Sequence, residues 1–453
     1  MQMKSTVKDM TVGSPTRLIL GFTLPMLLGM LFQQFYSMVD AIVVGKWIGT
    51  EALAGVGSTG SVNFLILGLC NGIGSGFAIP VSQRFGAKDF DSLRKYVANA
   101  IWGSLMLVIP VTVLVSIFTR DILVLMQTPD DVIEYAYGYI FVIFLGIPIA
   151  YTYNLLAAMI RALGDSKSPV IFLVIAALLN IALDILSVGV LNLGVEGPAL
   201  ATLISQGISA ILCFLYMRKK FDILHLRRDD LRLEWRRIGT LLSIGLPMGL
   251  QYSITAIGTV VLQWSVNGLG TAAVAAMAAG GKVNQFFAVV LDSLGTTMAT
   301  YAGQNTGSGK LRRIDRGLRS AMLLGAGYSV VALVVLYFFG QNVAMIFLDA
   351  DEVAILGDVG YFLVATSAFY VLLAVVNNFR FTIQGMGFSV LAIVAGVLEM
   401  IARTWIGFGF VGLLGFKAAC FASPLAWVFA SAFLIPAYFF CRNRLKKTLG
   451  LTE

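Results

Sequence analysis

Along this chain apolar residues come in long stretches, and the polar breaks between them are short. About 20 apolar residues suffice to cross the hydrocarbon core of a bilayer. Twelve stretches meet that length, at about 17–44, 51–80, 92–118, 131–160, 166–191, 195–218, 237–264, 272–301, 314–339, 352–380, 387–411 and 414–441. The breaks carry turn residues, such as Phe85-Gly86-Ala87-Lys88 and Thr306-Gly307-Ser308-Gly309-Lys310. No alternating pattern of the kind a β-barrel needs competes with this. The pattern therefore predicts an all-α integral membrane protein of twelve transmembrane helices. The N-terminus is polar up to Thr16 and the apolar run behind it is too long for a signal segment, so no cleavable signal peptide is expected.

The pattern repeats when the chain is shifted by about 221 residues. Leu24-Pro25-Met26 meets Leu246-Pro247-Met248, one residue off that shift. Gly49-Thr50 meets Gly270-Thr271, Val62-Asn63 meets Val283-Asn284, and Gln83 and Gly86 meet Gln304 and Gly307. Six helices per copy is an even number, so both copies insert with the same orientation. Two pseudo-symmetric six-helix bundles follow: an N-lobe at 1–218, a basic linker at 219–236 and a C-lobe at 237–453. Such repeats build transporters, with a central cavity open to alternate sides.

Composition agrees with the pattern: 58% of residues are hydrophobic and 12% charged, where a soluble domain carries about 25% charged. The net charge of +8 would suit nucleic acid, but the basic residues sit in short loops and set topology instead. With the N-terminus inside, 27 of the 32 Lys and Arg fall on the inner segments, Lys4 and Arg380 among them. Only Lys46, Arg120 and Lys417 fall outside, and Lys282 and Arg403 stay within the membrane. Both termini are therefore expected in the cytoplasm of a multi-pass cell-membrane protein. The four cysteines (Cys70, Cys213, Cys420, Cys441) lie singly in apolar segments, so no spacing suggests a cysteine–histidine metal site, and no cofactor is expected.

The candidate chemistry is in the buried polar residues. A carboxylate inside an apolar span costs about 2.5–3.5 kcal/mol on insertion scales, so it is kept for a purpose. Asp40 lies late in the first helix and Asp184 late in the fifth, which runs the same way. Asn180 is one turn before Asp184 on the same face. Thr202 lies early in the sixth helix, which returns, so all four share one depth. Two acids, an amide and a hydroxyl form an all-oxygen set suited to a hard cation such as Na⁺. They suit a proton equally, since two close carboxylates in low dielectric do not readily both ionise. The alternative is that neighbouring hydroxyls or backbone merely satisfy each acid.

In the second half, Glu399 and Arg403 are spaced i, i+4 and read as a structural ion pair. Asp292 and Lys282 share the eighth helix, nearly three turns apart, and either face a cavity or pair with other helices. Pro25 removes a backbone hydrogen bond and makes the first helix a candidate hinge. Gly68, Gly72 and Gly76 recur every fourth residue and read as close helix packing. Of Tyr135, Tyr137 and Tyr139, near the outer end of the fourth helix, most read as an interfacial belt.

Over nearly its full length the chain resembles the multidrug and toxic compound extrusion (MATE) transporters, of the bacterial DinF-like or MepA-like type. The resemblance is carried by Leu24-Pro25-Met26, by Asp40 followed by Gly45-Lys46-Trp47-Ile48-Gly49, by Gln83-Arg84-Phe85-Gly86-Ala87, by the run from Arg161 to Pro169, and by Gly194 to Thr202. It implies two six-helix bundles forming a V with a central cavity, and cation-driven export. It implies a first-lobe cation site at Asp40, Asn180, Asp184 and Thr202, with Gln33, Asn154 and Tyr139 as neighbours. No acid appears from Gln251 to Ile257, and the tenth helix has only Asp358 near its outer start. That departs from the branch that keeps acids on helices seven and ten.

The function expected is a cation-coupled antiporter, driven by H⁺ rather than Na⁺, that exports amphipathic, often cationic organic compounds by alternating access. Its partners would be small organic molecules and membrane lipid, not nucleic acid, and it would work as a monomer. The alternative is a flippase of lipid-linked precursors from the same superfamily; those carry a strongly cationic cavity, and here only Lys282 and Arg403 are basic within the membrane. A receptor or assembly factor without turnover has no use for the repeat. No Walker loop, HExxH or GxSxG motif marks an enzyme.

Overall fold

A computed structural model of the chain describes residues 8–126, 128–346 and 353–450. Lys4 and the predicted start of the tenth helix at residue 352 lie outside the described residues. The described residues are helical, with no strand among them. Ten helices are long and apolar enough to cross a membrane, and two bent pairs bring the spans to twelve.

In chain order the spans are α1 (Pro15–Val43), α2 (Gly60–Gly86), α3 (Phe90–Ile117), α4 (Ile133–Leu145 with Ile147–Ala162), α5 (Lys167–Gly189) and α6 (Glu196–Lys220), then α7 (Trp235–Asn267), α8 (Thr271–Gly307), α9 (Leu311–Ala344), α10 (Val353–Ser367 with Tyr370–Gly385), α11 (Ser389–Gly409) and α12 (Ala422–Thr448). α1 runs unbroken through Pro25 and ends in a π-turn, Val44–Ile48. The sharp bends lie elsewhere, at 50° in α4 and 49° in α10. In α4 the bend falls at Gly146, where an added Cβ would lie 1.9 Å from Leu203 Cδ2, and Pro148 opens the next segment. In α10 no proline is involved; the break sits at Ala368 and Phe369.

The chain divides into two compact units. One holds Met1–Asp9 and Leu24–Gly249, the other Met10–Thr23 and Leu250–Glu453. Of the three boundaries, the one after Asp9 precedes α1, and the other two fall inside a helix, next to Leu24-Pro25-Met26 in α1 and just past Leu246-Pro247-Met248 in α7. In the first unit, α2 packs on the second segment of α4, and α5 on α6, around a core that includes Ile73, Phe77, Phe144 and Ile147. The second unit pairs α8 with the second segment of α10 and α11 with α12.

Gly72 and Gly76 of α2 meet α7 within the first unit. A Cβ on Gly72 would lie 2.6 Å from Gly249 Cα, and one on Gly76 2.5 Å from Gly245 Cα. The fourfold glycine spacing thus serves close backbone packing, as small residues do between membrane helices.

One basic residue corrects the topology reading. Arg380 is not in an inner loop but buried inside α10, 6% exposed, where it pairs with Glu399. It carries no topology information, and 26 inner basic residues remain against three outer ones. Arg380 was misplaced because it lies in the last two turns of its span, where an apolar pattern and a loop edge look alike.

Candidate functional site

The site builds up from one turn of α5. Asn180 and Asp184 are four residues apart, so their side chains stand one above the other on one face. Both are buried, at 2% and 0% exposure. Asn180 Nδ2 donates to Thr202 Oγ1 of α6 at 3.3 Å. That bond commits the amide nitrogen, so the amide oxygen is left over. Asn180 Oδ1, both carboxylate oxygens of Asp184 and Oδ1 of Asp40 are buried with no hydrogen-bond partner among the described residues. A buried ionised carboxylate without a donor is expensive, and it is kept only if a bound species neutralises it.

α1 and α4 complete the setting. Asp40 acts electrostatically on Asp184, and Tyr139 of α4 feels both charges. Tyr139 is buried, so it belongs to this interior rather than to an interfacial belt. Tyr36 lies one helical turn from Asp40 on α1. Gln33, Asn154, Asn180 and Thr202 line one small cavity together with Tyr36 and Gln206. Asn154 Nδ2 is held by Ala150 O at 2.9 Å, which leaves its own oxygen for the cavity. The cavity measures about 30 Å³. That admits a water or two, or one small hydrated cation, and falls far short of the roughly 300–1,000 Å³ of an organic-ligand pocket.

The cavity gathers Gln33, Asn154, Asn180 and Thr202 in the first unit; Asp184 stands one turn from Asn180 on α5, and Asp40, Asp184 and Tyr139 are not among its lining residues. Sequence reasoning missed Tyr36, Tyr153, Ser205 and Gln206, which also line the cavity. A signal existed: Tyr36 is three residues after Gln33, and Ser205 and Gln206 are one turn after Thr202. Helical spacing alone puts them on the same faces.

The second-half candidates form a different arrangement. Glu399 receives Arg403 at 3.4 Å and also Arg380, whose contact is the closer of the two. All three are buried. Beside them Gln384 Nε2 donates to Gln251 Oε1 at 2.6 Å. Asp292 accepts from Asn377 Nδ2 at 2.7 Å and lies within the field of Arg380. Here each acid has partners, so this cluster is an ion-pair network and lacks the bare carboxylate oxygens of the first unit, although Gln384 Oε1 is buried without a partner among the described residues. Lys282 and Asp292 are exposed on α8.

Comparison with known proteins identifies the family. The MatE family matches residues 25–186 and again 247–408, so each repeat carries one copy and each copy begins at a proline of the paired Leu-Pro-Met motifs. The probable multidrug resistance protein YoeA of Bacillus subtilis (strain 168) is 30% identical over 338 residues, 73% of each chain. The multidrug export protein MepA of Staphylococcus saprophyticus is 23% identical over 398 residues, 87% of each chain. Among solved structures, the outward-facing conformation of a multidrug resistance MATE family transporter of the MOP superfamily superposes with a TM-score of 0.89, at 22% identity, over 99% of this chain and 100% of that one. With two family copies on twelve spans, the chain belongs to the MatE family of multi-pass membrane transporters.

Proposed function

We propose that this transporter is a cation-coupled antiporter that exports amphipathic, often cationic organic compounds from the cell by alternating access. The observation that carries the coupling is the set of bare, buried oxygens on Asp184, Asp40 and Asn180. The export of drug-like compounds is drawn from the names of the relatives, which include multidrug resistance and multidrug export proteins.

The coupling ion is a proton in this reading. A proton needs one carboxylate oxygen, which Asp184 supplies twice over. A Na⁺ ion would need the oxygens of Asp40, Asp184, Asn180 and Thr202 together, with water making up the rest. Those same residues would hold Na⁺ if the proton reading fails. Binding of the cation neutralises the site and favours the return of the carrier with the cation and without drug; its release on the inner side recharges the acids and favours uptake of drug. One charge crossing the membrane is worth about 2.3 kcal/mol per 100 mV, so one or two protons can drive useful accumulation. The bias of basic residues to the inner segments supports cytoplasmic termini in this reading.

The test is efflux of a fluorescent organic cation from reconstituted vesicles. A pH gradient and a Na⁺ gradient are imposed separately. Efflux driven by the pH gradient alone supports the reading; efflux driven only by Na⁺ moves the ion to Na⁺; efflux indifferent to both removes the coupling.

A further inference from the structure

A second site lies on the first unit, away from the acids. Between α3, the second segment of α4 and α6 runs a groove of about 400 Å³. The 50° bend of α4 accompanies it, with Pro148 at the start of the bent segment forming part of the wall. Leu105 and Ile109 of α3 and Ile211 and Phe214 of α6 line it and are each about half exposed. On a chain that crosses the bilayer this often, exposed apolar side chains at mid-span face lipid. The groove is therefore continuous with the surface that meets the bilayer. Its polar floor is satisfied internally: the hydroxyls of Ser104 and Tyr151 hydrogen-bond one another at 3.1 Å, and Ser104 also reaches Ala100 O at 2.6 Å. What remains for a ligand is a wall of apolar side chains from three helices, which suits an acyl chain.

The linker is strapped to the same helix beside the groove. Arg94 holds buried Asp230 at 3.2 Å. Asn99 takes the backbone of Arg232 at 3.3 Å and of Glu234 at 2.8 Å. Trp102 Nε1 donates to Leu231 O at 3.0 Å. Trp102 is one turn from Leu105 of the groove wall. The strapped segment then presents Leu231, Leu233 and Trp235, all exposed, among the exposed Arg228, Arg232 and Arg236. Apolar and aromatic groups interleaved with arginine are the pattern of a membrane-interface anchor, and the arginines select negative headgroups. Arg232 has a partner in Asp229 at 3.4 Å, but both side chains are more than three-quarters exposed, so a phosphate can displace that contact.

We infer that this face of the first unit is a binding site for an anionic phospholipid, with one acyl chain in the α3–α4–α6 groove and the phosphate against Arg228 and Arg232. The groove supplies affinity for the tail and the linker supplies the choice of headgroup.

Native mass spectrometry of the purified full-length protein tests this, with phosphatidylglycerol and phosphatidylcholine of equal chain length offered together. Wild type should retain phosphatidylglycerol preferentially. Arg228→Gln with Arg232→Gln should reduce that preference on the order of tenfold, given the strength of each basic residue near an anionic surface. Ile211→Trp, which fills the groove from its exposed rim, should lower retention of both lipids; Leu105→Trp fills it from the opposite wall should the first variant fold poorly. Excess inorganic phosphate should not displace the lipid. Equal retention of the two lipids by wild type overturns the proposal, as does a preference that survives the double arginine change, or undiminished retention with the groove filled. Displacement by inorganic phosphate overturns the role of the groove.

Discussion

Replacing Gly76 with alanine adds one methyl group at the closest approach of two helices. That methyl would lie 2.5 Å from Gly245 Cα, 3.0 Å from Gly245 N and 3.2 Å from the carbonyl carbon of Ile244. All three are backbone atoms, so no side chain can swing away. α2 and α7 must separate by roughly 1 Å to restore ordinary contact, and the seam at Gly72, where a Cβ would lie 2.6 Å from Met248 O, opens with it. Overpacking of this kind costs about 1–3 kcal/mol. Against it stands the gain from alanine in a helix, about 0.5–1 kcal/mol over glycine. The net is a loss. Gly281→Ala is the control: nothing lies within 4 Å of a Cβ there, and it sits within α8, so only the helix-propensity gain applies. Thermal unfolding in detergent, followed by tryptophan fluorescence, should place Gly76→Ala below wild type and Gly281→Ala level with it or above. A Gly76→Ala midpoint at or above that of Gly281→Ala would refute the packing argument.

Three further outcomes follow from the same reasoning. Glu399→Gln strips the shared partner from two buried arginines, Arg380 and Arg403, and should cost about 3–5 kcal/mol of stability; an unchanged melting temperature and yield would show that the arginines are paired elsewhere. Single cysteines at Ser308 and Asn192, in a background without the native four, should label from opposite sides of the membrane, the first from the cytoplasm; labelling of both from one side would break the twelve-span topology. At the α3 N-terminus, burial pushes the Asp89 carboxyl up, but its bonds to Ser92 and the charges of Arg84 and Arg237 outweigh that and hold it below the usual range. Its contribution is therefore present above the unfolded value of about 3.9 and fades as pH falls through the lower folded value; Asp89→Ala should cost about 1 kcal/mol at neutral pH and much less in strong acid, as read by melting at both.

Much of this fold was legible because a bilayer imposes a single length scale on its helices. The paired Leu-Pro-Met motifs marked the repeat, and both family copies begin at their prolines. The contact of Asn180 with Thr202 could be anticipated because helix direction and residue count fix depth in a membrane. Lateral position is not fixed in that way. Tyr36 and Gln206 went unnoticed since uncharged polar residues carry no insertion penalty large enough to draw attention. At the bend of α4, Leu203 of another helix fills the space beside Gly146, and no local pattern reports that contact. Arg380 was misread for the opposite reason: charge near a helix end signals a loop, unless a carboxylate from a neighbouring helix, here Glu399, draws it inward.

The central claim is that the bare oxygens on α5 and α1 couple the cation to export. Its most direct measurement is pH-gradient-driven efflux from vesicles holding wild type, Asp40→Asn, Asp184→Asn or both changes, with drug binding measured on the same preparations. The account predicts that each single change abolishes driven efflux, that the double change is little worse than either, and that drug binding survives in all three. Driven efflux at the wild-type rate in Asp184→Asn, with the protein folded and binding drug, would contradict it.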